Sequence, residues 1–154
     1  MRVLLTSNAS YDPPRGGSTR SNLAWLRHLH SKGHLCEIVS PTLEGVADRT
    51  SLVDGLTIHG VRDLSFRASV LGDHIRRLQP DWVLVSSEDV SHVLLREAGK
   101  TAPGRVVYLA HTPQFYPFGP ESWHPDQTSS EVVKNAAAVV VMTEMPGISP
   151  HVAR

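Results

Sequence analysis

The chain lacks the features that direct a protein to a membrane, a nucleic acid or an oxidising compartment. A single cysteine, Cys36, excludes an internal disulfide and fits a reducing compartment, where a lone thiol is usually a small buried hydrophobic residue. No apolar run approaches the roughly 20 residues of a membrane-spanning helix, and the N-terminal run is too short for a signal peptide. With 15 acidic and 15 basic side chains the formal net charge is zero, so no overall field attracts nucleic acid. We therefore expect a cytoplasmic protein without a nucleic-acid partner.

Size and composition favour one globular domain over residues 1–154. Apolar residues make up 40% of the chain and charged residues 19%, which is typical of ordinary globular proteins. A chain of 154 residues is long enough to bury a hydrophobic core. The sequence contains neither an internal repeat nor a low-complexity tract.

The N-terminal segment has the pattern of a strand, a glycine turn and a helix. A short apolar run at 2–7 predicts a buried strand, and the turn-forming segment 8–17 ends in Gly16 and Gly17. A helix then runs to Gly33, where a left-handed residue ends it. Glycine lets the backbone approach a ligand, and the helix behind it directs free amides toward that position. The expected ligand is a phosphate or a carboxylate. The alternative is that Gly16 and Gly17 only shape a tight turn.

Strand and helix patterns alternate along the rest of the chain. We expect Ser18 or Thr19 to cap the first helix. Near-continuous apolar strands between amphipathic helices predict an α/β, Rossmann-like fold, in which a mostly parallel sheet has helices on both faces. In such sheets ligands bind at the carboxyl ends of the strands, where segments 8–17, 86–89 and 111–125 are expected. The predicted strands are 34–40, 52–61 (a strand or small hairpin), 81–86, 105–110 and 137–142. Helices are predicted at 66–79, at 129–136 and from residue 148. A further helix is predicted to begin after residue 87, with Ser86, Ser87 and Asp89 as its capping residues.

Two common phosphate-binding motifs are absent. A dinucleotide site of the usual kind has G-x-G-x-x-G and an acidic residue at the end of the second strand. Here residues 15–20 are Arg-Gly-Gly-Ser-Thr-Arg, and the second strand ends in Ser40 and Pro41. The sequence therefore argues against NAD binding, and the absence of G-K-[ST] excludes a P-loop.

His111 is the strongest candidate for chemistry. It follows the fifth strand directly, so its ring is expected to face the ligand crevice. A neutral imidazole there can hydrogen-bond a sugar hydroxyl or transfer a proton; the alternative is a histidine that only caps the strand end. The other histidines lack the spacing of metal ligands, and no metal is expected.

The segment 111–128 is rich in proline and aromatic residues. Phe115 and Tyr116 lie in it. This segment is predicted to be a platform for a sugar or lipid-like acceptor, a contact with a neighbouring domain, or a loop folded over its own core.

Taken in order, these motifs resemble the N-terminal half of a GT-B glycosyltransferase of the retaining family 4. Such enzymes have two Rossmann-like domains with the active site between them. The resemblance covers nearly the whole chain. The matching segments are Met1-Arg2-Val3-Leu4-Leu5, Tyr11-Asp12, Gly16-Gly17, Leu23-Ala24-Trp25-Leu26, Lys32-Gly33-His34, Pro80-Asp81-Trp82-Val83, Tyr108-Leu109-Ala110-His111-Thr112 and the strand 138–144.

The resemblance implies a role for each candidate residue. His111 would be the catalytic residue that contacts the transferred sugar. The donor phosphate and sugar would be bound by Gly16, Gly17 and Thr112. The acceptor-binding residues would be Tyr11 and Asp12, with which we place Glu88, Phe115 and Tyr116.

The resemblance also implies the setting of the activity. A nucleotide-diphosphate sugar would be the donor substrate, without a cofactor or metal, and its C-terminal binding domain would lie outside this chain, in cis or in trans. The chain alone would then be inactive. The acceptor would be a sugar, a lipid-linked molecule or another small molecule, with peripheral contact at the inner face of a membrane. The alternatives are a non-catalytic Rossmann-like binding module and half of a sugar-nucleotide epimerase.

Overall fold

Strands and helices alternate along the computed structural model, which describes residues 1–145 and 148–153. The strands are β1 (Arg2–Thr6), β2 (Leu35–Pro41), β3 (Arg49–Val53), β4 (Leu56–Val61), β5 (Trp82–Ser86), β6 (Val106–Ala110), β7 (Ala138–Met145) and β8 (Ile148–Ala153). The helices are α1 (Gly17–Ser31), α2 (Ser69–Leu78), α3 (Val93–Thr101) and α4 (Gln127–Lys134), with 3₁₀ turns at Leu64–Phe66 and Pro113–Phe115. The predicted α/β class is confirmed.

Within the described residues the strands form one eight-stranded sheet in the order β3-β4-β2-β1-β5-β6-β7-β8. The six central strands are parallel, and the two edge strands β3 and β8 are antiparallel to their neighbours. Strand β1 lies between β2 and β5, so the chain order reverses there. In open α/β sheets this reversal leaves a crevice at the carboxyl ends of the strands. The fold is therefore Rossmann-like, with a place for a ligand beside β1.

The sheet has helices on both faces. Apolar side chains of α2 and α3, such as Leu71, Ile75 and Leu94, form one buried cluster with β1, β5 and β6, while Leu23 and Leu26 of α1 lie in the cluster on the other face. This burial removes apolar surface from water and is the main favourable contribution to folding. None of the helices in the described part of the chain is long and apolar enough to cross a bilayer.

The structure corrects several predicted elements. The segment predicted as a helix from residue 148 is strand β8, which pairs with β7. The edge of β7 offers unpaired backbone groups, and pairing with them satisfies the following segment without a helix. The predicted turn at Pro146 and Gly147, and the predicted helical residue Arg154, lie outside the described residues. Strand β3 begins at Arg49, before the strand or hairpin predicted at 52–61. Phe66, predicted to begin a helix, is 89% exposed in a 3₁₀ turn.

The turn between β3 and β4 depends on Gly55. Asp54 and Gly55 have φ values of 52° and 82°, as a two-residue hairpin turn requires. A Cβ on Gly55 would lie 2.2 Å from Nε2 of His30, whereas a Cβ on Gly45, which also has a positive φ, would have no heavy atom within 4 Å.

We expect Gly55→Ala to lower the free energy of unfolding by about 1–3 kcal/mol, because it adds backbone strain and displaces the His30 ring. Gly45→Ala is the matched control, since it adds backbone strain alone and should cost less. Urea denaturation of both variants measures the difference. Equal losses would show that the contact with His30 does not contribute.

Candidate functional site

Three loops and the start of α1 meet at the carboxyl edge of the sheet. The hydroxyl of Ser18 in α1 donates to Oε1 of Glu88, after β5, at 2.6 Å. The backbone N–H of His111, after β6, donates to Oγ of Ser87 at 2.9 Å. The loops predicted to form the ligand-binding edge are therefore in contact, and Ser87 bonds His111 instead of capping a helix. Helix α3 begins later than predicted, at Val93.

The N-terminus of α1 is open. The helix begins at Gly17, and Gly16, with φ of 92°, precedes it; no side chain in the described ranges caps this end. The predicted caps are wrong, because Ser18 and Thr19 lie inside the first turn and bond Glu88 and the Gly16 carbonyl. A Cβ on Gly16 or Gly17 would meet no heavy atom within 4 Å. The first amides therefore have no side-chain cap, and there is room beside Gly16 and Gly17. The positive end of the helix dipole favours an anion there, and the Glu88 carboxylate bonded to Ser18 already lies near this end.

A buried hydrogen-bond network centred on Asn22 lies beside this open end. The side-chain amide of Asn22 donates to Oη of Tyr11 at 2.8 Å and to Oγ of Ser86 at 2.9 Å. Its oxygen lies 3.1 Å from Nε2 of His111. Since both amide hydrogens are used, the oxygen accepts, and the His111 ring has its proton on Nε2. The network fixes the orientation of the imidazole.

Asn22 was missed by the sequence analysis. It lies on the buried face of α1 with Thr19, Leu23 and Leu26. The available signal was a polar residue at a core-facing position of an amphipathic helix. Such a residue needs partners, because an unpaired buried amide costs about 1–3 kcal/mol.

Tyr11, predicted to bind an acceptor, is 1% exposed and supports the first loop from inside. Its hydroxyl accepts the bond from Asn22. Burial, reinforced by the nearby Glu88 carboxylate, raises the pKa of this hydroxyl well above its usual value. Tyr11 therefore stays protonated and positions the loop; it has no surface with which to contact a substrate.

Glu88 places a carboxylate at the site. Its Oε1 accepts from Ser18, while Oε2 is buried and has no hydrogen-bond partner in the described part of the chain. A buried carboxylate oxygen without a donor is available to a hydroxyl or amide of a ligand. Among the described residues no group of three or more His, Cys, Asp or Glu side chains could hold a metal ion.

The aromatic segment packs mainly on the protein itself. Tyr116 lies against the buried Tyr108, with ring centroids 6.3 Å apart, and Phe115 contacts Trp123 at 5.7 Å. Phe115, Tyr116 and the preceding Thr112 are all half-buried. Trp123 and Phe118 remain 65% and 40% exposed. The Tyr116 part of the segment is therefore folded over the core, whereas the exposed aromatic rings leave a ligand platform and a domain contact open.

Asp12 does not join the Asn22 network. Its carboxylate oxygen Oδ2 lies 3.0 Å from Nη2 of Arg49, beside the carboxyl end of β2. The structure thus brings together Gly16, Gly17, Glu88 and His111, and places Asp12 at a separate cleft.

The comparisons with known proteins give a fold. No family model and no curated protein matches the chain. A solved structure of the Bordetella bronchiseptica enzyme WbmG in complex with NAD is similar, with a TM-score of 0.52 and 16% sequence identity. The match covers 92% of this chain and 52% of WbmG, so the chain spans about half the length of that enzyme.

This similarity corrects the resemblance to GT-B glycosyltransferases of family 4. The similar structure is an enzyme in complex with NAD, so the family, the glycosyltransferase activity and the expectation of no cofactor are wrong. The motifs behind the resemblance are a strand, a glycine turn, a helix and a histidine after a parallel strand. Different α/β families share such features, because one fold supports unrelated functions.

The raised pKa of Tyr11 predicts a loss of stability at high pH. The unfolded chain ionises this hydroxyl near pH 10, whereas the folded chain keeps it protonated. Its contribution is therefore complete below about pH 10 and falls as the pH rises, by up to about 1.4 kcal/mol per pH unit.

We expect the free energy of unfolding of Tyr11→Phe to fall less steeply above about pH 10 than that of the wild type. Chemical denaturation at a series of pH values measures both slopes. Parallel slopes would mean that Tyr11 ionises alike in the folded and unfolded chains.

Proposed function

We propose that this chain is the nucleotide-binding half of a sugar-nucleotide epimerase, with a dinucleotide of the NAD class as its cofactor. The observation on which this rests is the open N-terminus of α1, with Gly16 and Gly17 beside the point where the strand order reverses. The similarity in fold to WbmG, an enzyme in complex with NAD, supports this choice among nucleotides.

The residues fit a dinucleotide at its diphosphate. Neither Gly16 nor Gly17 has a heavy atom within 4 Å of an added Cβ, so the backbone can approach the phosphate oxygens closely. The uncapped amides of α1 supply donors, and the helix dipole favours negative charge. The usual acidic residue at the end of β2 is replaced by Ser40 and Pro41, so the ribose must be held in another way.

When bound, a nicotinamide cofactor supplies hydride transfer. The amides at the start of α1 would hold the diphosphate. Glu88 would accept a hydrogen bond from a ligand hydroxyl through Oε2, which the described residues leave unpaired. His111, held by Asn22 with its proton on Nε2, would position a sugar hydroxyl or move its proton.

The remaining wall of the sugar site would come from a second domain, in the same chain or in a partner. The chain spans about half the length of WbmG, which agrees with a site shared between two domains. A non-catalytic binding module is the alternative outcome, and it would bind a nucleotide without turning over a sugar.

Gly17 provides the binding test. We expect Gly17→Glu to weaken NAD⁺ binding at least about tenfold, because the new carboxylate repels the diphosphate at the helix N-terminus. Gly17→Gln has nearly the same size without the charge and should weaken binding less. Titration calorimetry measures both variants. A glutamate at this position favours the helix, so its loss of binding would not reflect unfolding.

If Gly17→Glu and wild type bind NAD⁺ equally, the diphosphate does not lie at α1. If the wild type does not bind NAD⁺ at all, the proposed cofactor is wrong.

Product analysis tests the reaction itself. We expect the complete enzyme, incubated with nucleotide sugars and no acceptor, to release an epimerised sugar nucleotide. We expect the complete enzyme with His111→Ala to turn over more slowly. Its melting temperature should also fall, because the buried Asn22 oxygen loses the His111 ring as a partner, so turnover is compared at a temperature at which the variant is folded. Nucleotide binding without epimerised product would favour the non-catalytic module.

A further inference from the structure

A narrow polar cleft lies at the carboxyl end of β2, apart from the Asn22 network. Its walls include Asp12 from the loop after β1, Ser40 from β2 and Arg49 from the start of β3. The loop that contributes Asp12 also contains Gly16, so the cleft and the open end of α1 are joined by one short segment. Tyr11, the residue before Asp12, accepts a hydrogen bond from Asn22 of α1 at 2.8 Å, so the loop that lines the cleft is bonded to this helix.

Arg49 holds the Asp12 carboxylate in place. Nη2 of Arg49 lies 3.0 Å from Oδ2 of Asp12, and the guanidinium also donates to Oγ of Ser51 at 3.2 and 3.3 Å. The carboxylate is thus oriented before any ligand arrives. An ionised carboxylate accepts up to about four hydrogen bonds, so capacity remains for a ligand donor.

Ser40 supplies a second polar group. It is 1% exposed, and its hydroxyl has no hydrogen-bond partner in the part of the chain that the structure describes. A buried hydroxyl without a partner costs free energy, which a ligand hydroxyl would recover. The cleft therefore combines a fixed acceptor with an unsatisfied hydroxyl.

The size of the cleft limits what it admits. It has about 10 Å³ of free volume, close to the space that one water molecule needs. A hydroxyl group fits this space, whereas a phosphate group does not. The charge of Arg49 is also already compensated by Asp12, so the cleft offers no net positive charge to a phosphate.

We propose that Asp12 and Ser40 bind a ribose hydroxyl of the cofactor, and that the chain thereby selects NAD over NADP. Asp12, from the loop after β1, takes the part that an acidic residue at the end of the second strand has in the usual dinucleotide motif. Arg49 is a positioning residue that holds Asp12. This inference rests on the proposed function, since it presumes a dinucleotide at α1.

Titration calorimetry of the 154-residue chain with NAD⁺ and NADP⁺ tests the proposal. We expect NAD⁺ to bind at least about tenfold more tightly than NADP⁺. The additional phosphate of NADP⁺ is too large for the cleft, and the Asp12 carboxylate repels its negative charge. Asp12→Asn should weaken NAD⁺ binding about tenfold and narrow the preference. Ser40→Ala should weaken NAD⁺ binding to a smaller extent.

Asp54→Asn is the matched control, because it removes the same charge from the β3–β4 turn, where Asp54 pairs with Arg27 instead of lining the cleft. It should leave both affinities unchanged, and melting temperatures of all variants report on folding. Equal or tighter binding of NADP⁺, or an unchanged preference in a folded Asp12→Asn, would overturn this inference alone. Binding of neither dinucleotide by the wild type would overturn the proposed function and this inference with it.

Discussion

The side chain of Asn22 is the interaction on which the carboxyl edge of this sheet depends. One buried amide bonds Tyr11 of the loop after β1, Ser86 at the end of β5 and His111 after β6. Because a buried amide must satisfy both its donors and its acceptor, these three segments have one compatible arrangement. The same bonds determine which ring nitrogen of His111 has the proton. The chemistry proposed for His111 is therefore set from α1, not from its own loop.

The loop after β1 supports two sites with different chemistry. At one end, Gly16 and Gly17 leave the amides of α1 open, which suits an anion. Near its middle, Asp12 is held by Arg49 at a cleft that has room for a hydroxyl. Tyr11, the buried residue before Asp12, anchors the loop to the core. A dinucleotide has both a diphosphate and ribose hydroxyls, which is why one ligand is proposed for the two places.

Part of this site followed from the sequence, and part did not. Gly16, Gly17 and His111 were expected at the carboxyl edge, because a residue next to a parallel strand must lie at one end of the sheet. Their chemical roles did not follow, because the position of a residue at the end of a strand does not determine which ligand it binds. The glycosyltransferase interpretation failed for this reason, since its motifs are common to different α/β families and indicate only the fold. The absence of G-x-G-x-x-G and of an acid at the end of β2 argues against NAD by motif alone, although Asp12 offers a carboxylate from another loop.

The sequence by itself determined the alternation of strands and helices and the Rossmann-like class, because hydrophobic period and turn residues act locally. Only the tertiary structure decided what Asn22 does, since its partners Ser86 and His111 are 64 and 89 residues away. It also decided that residues 148–153 form a strand, because the edge of β7 was there to pair with. The pairing of Asp12 with Arg49, which is 37 residues away, was likewise decided only by the tertiary structure. Contacts between distant segments depend on how the strands assemble into the sheet, and the local sequence pattern does not determine that assembly.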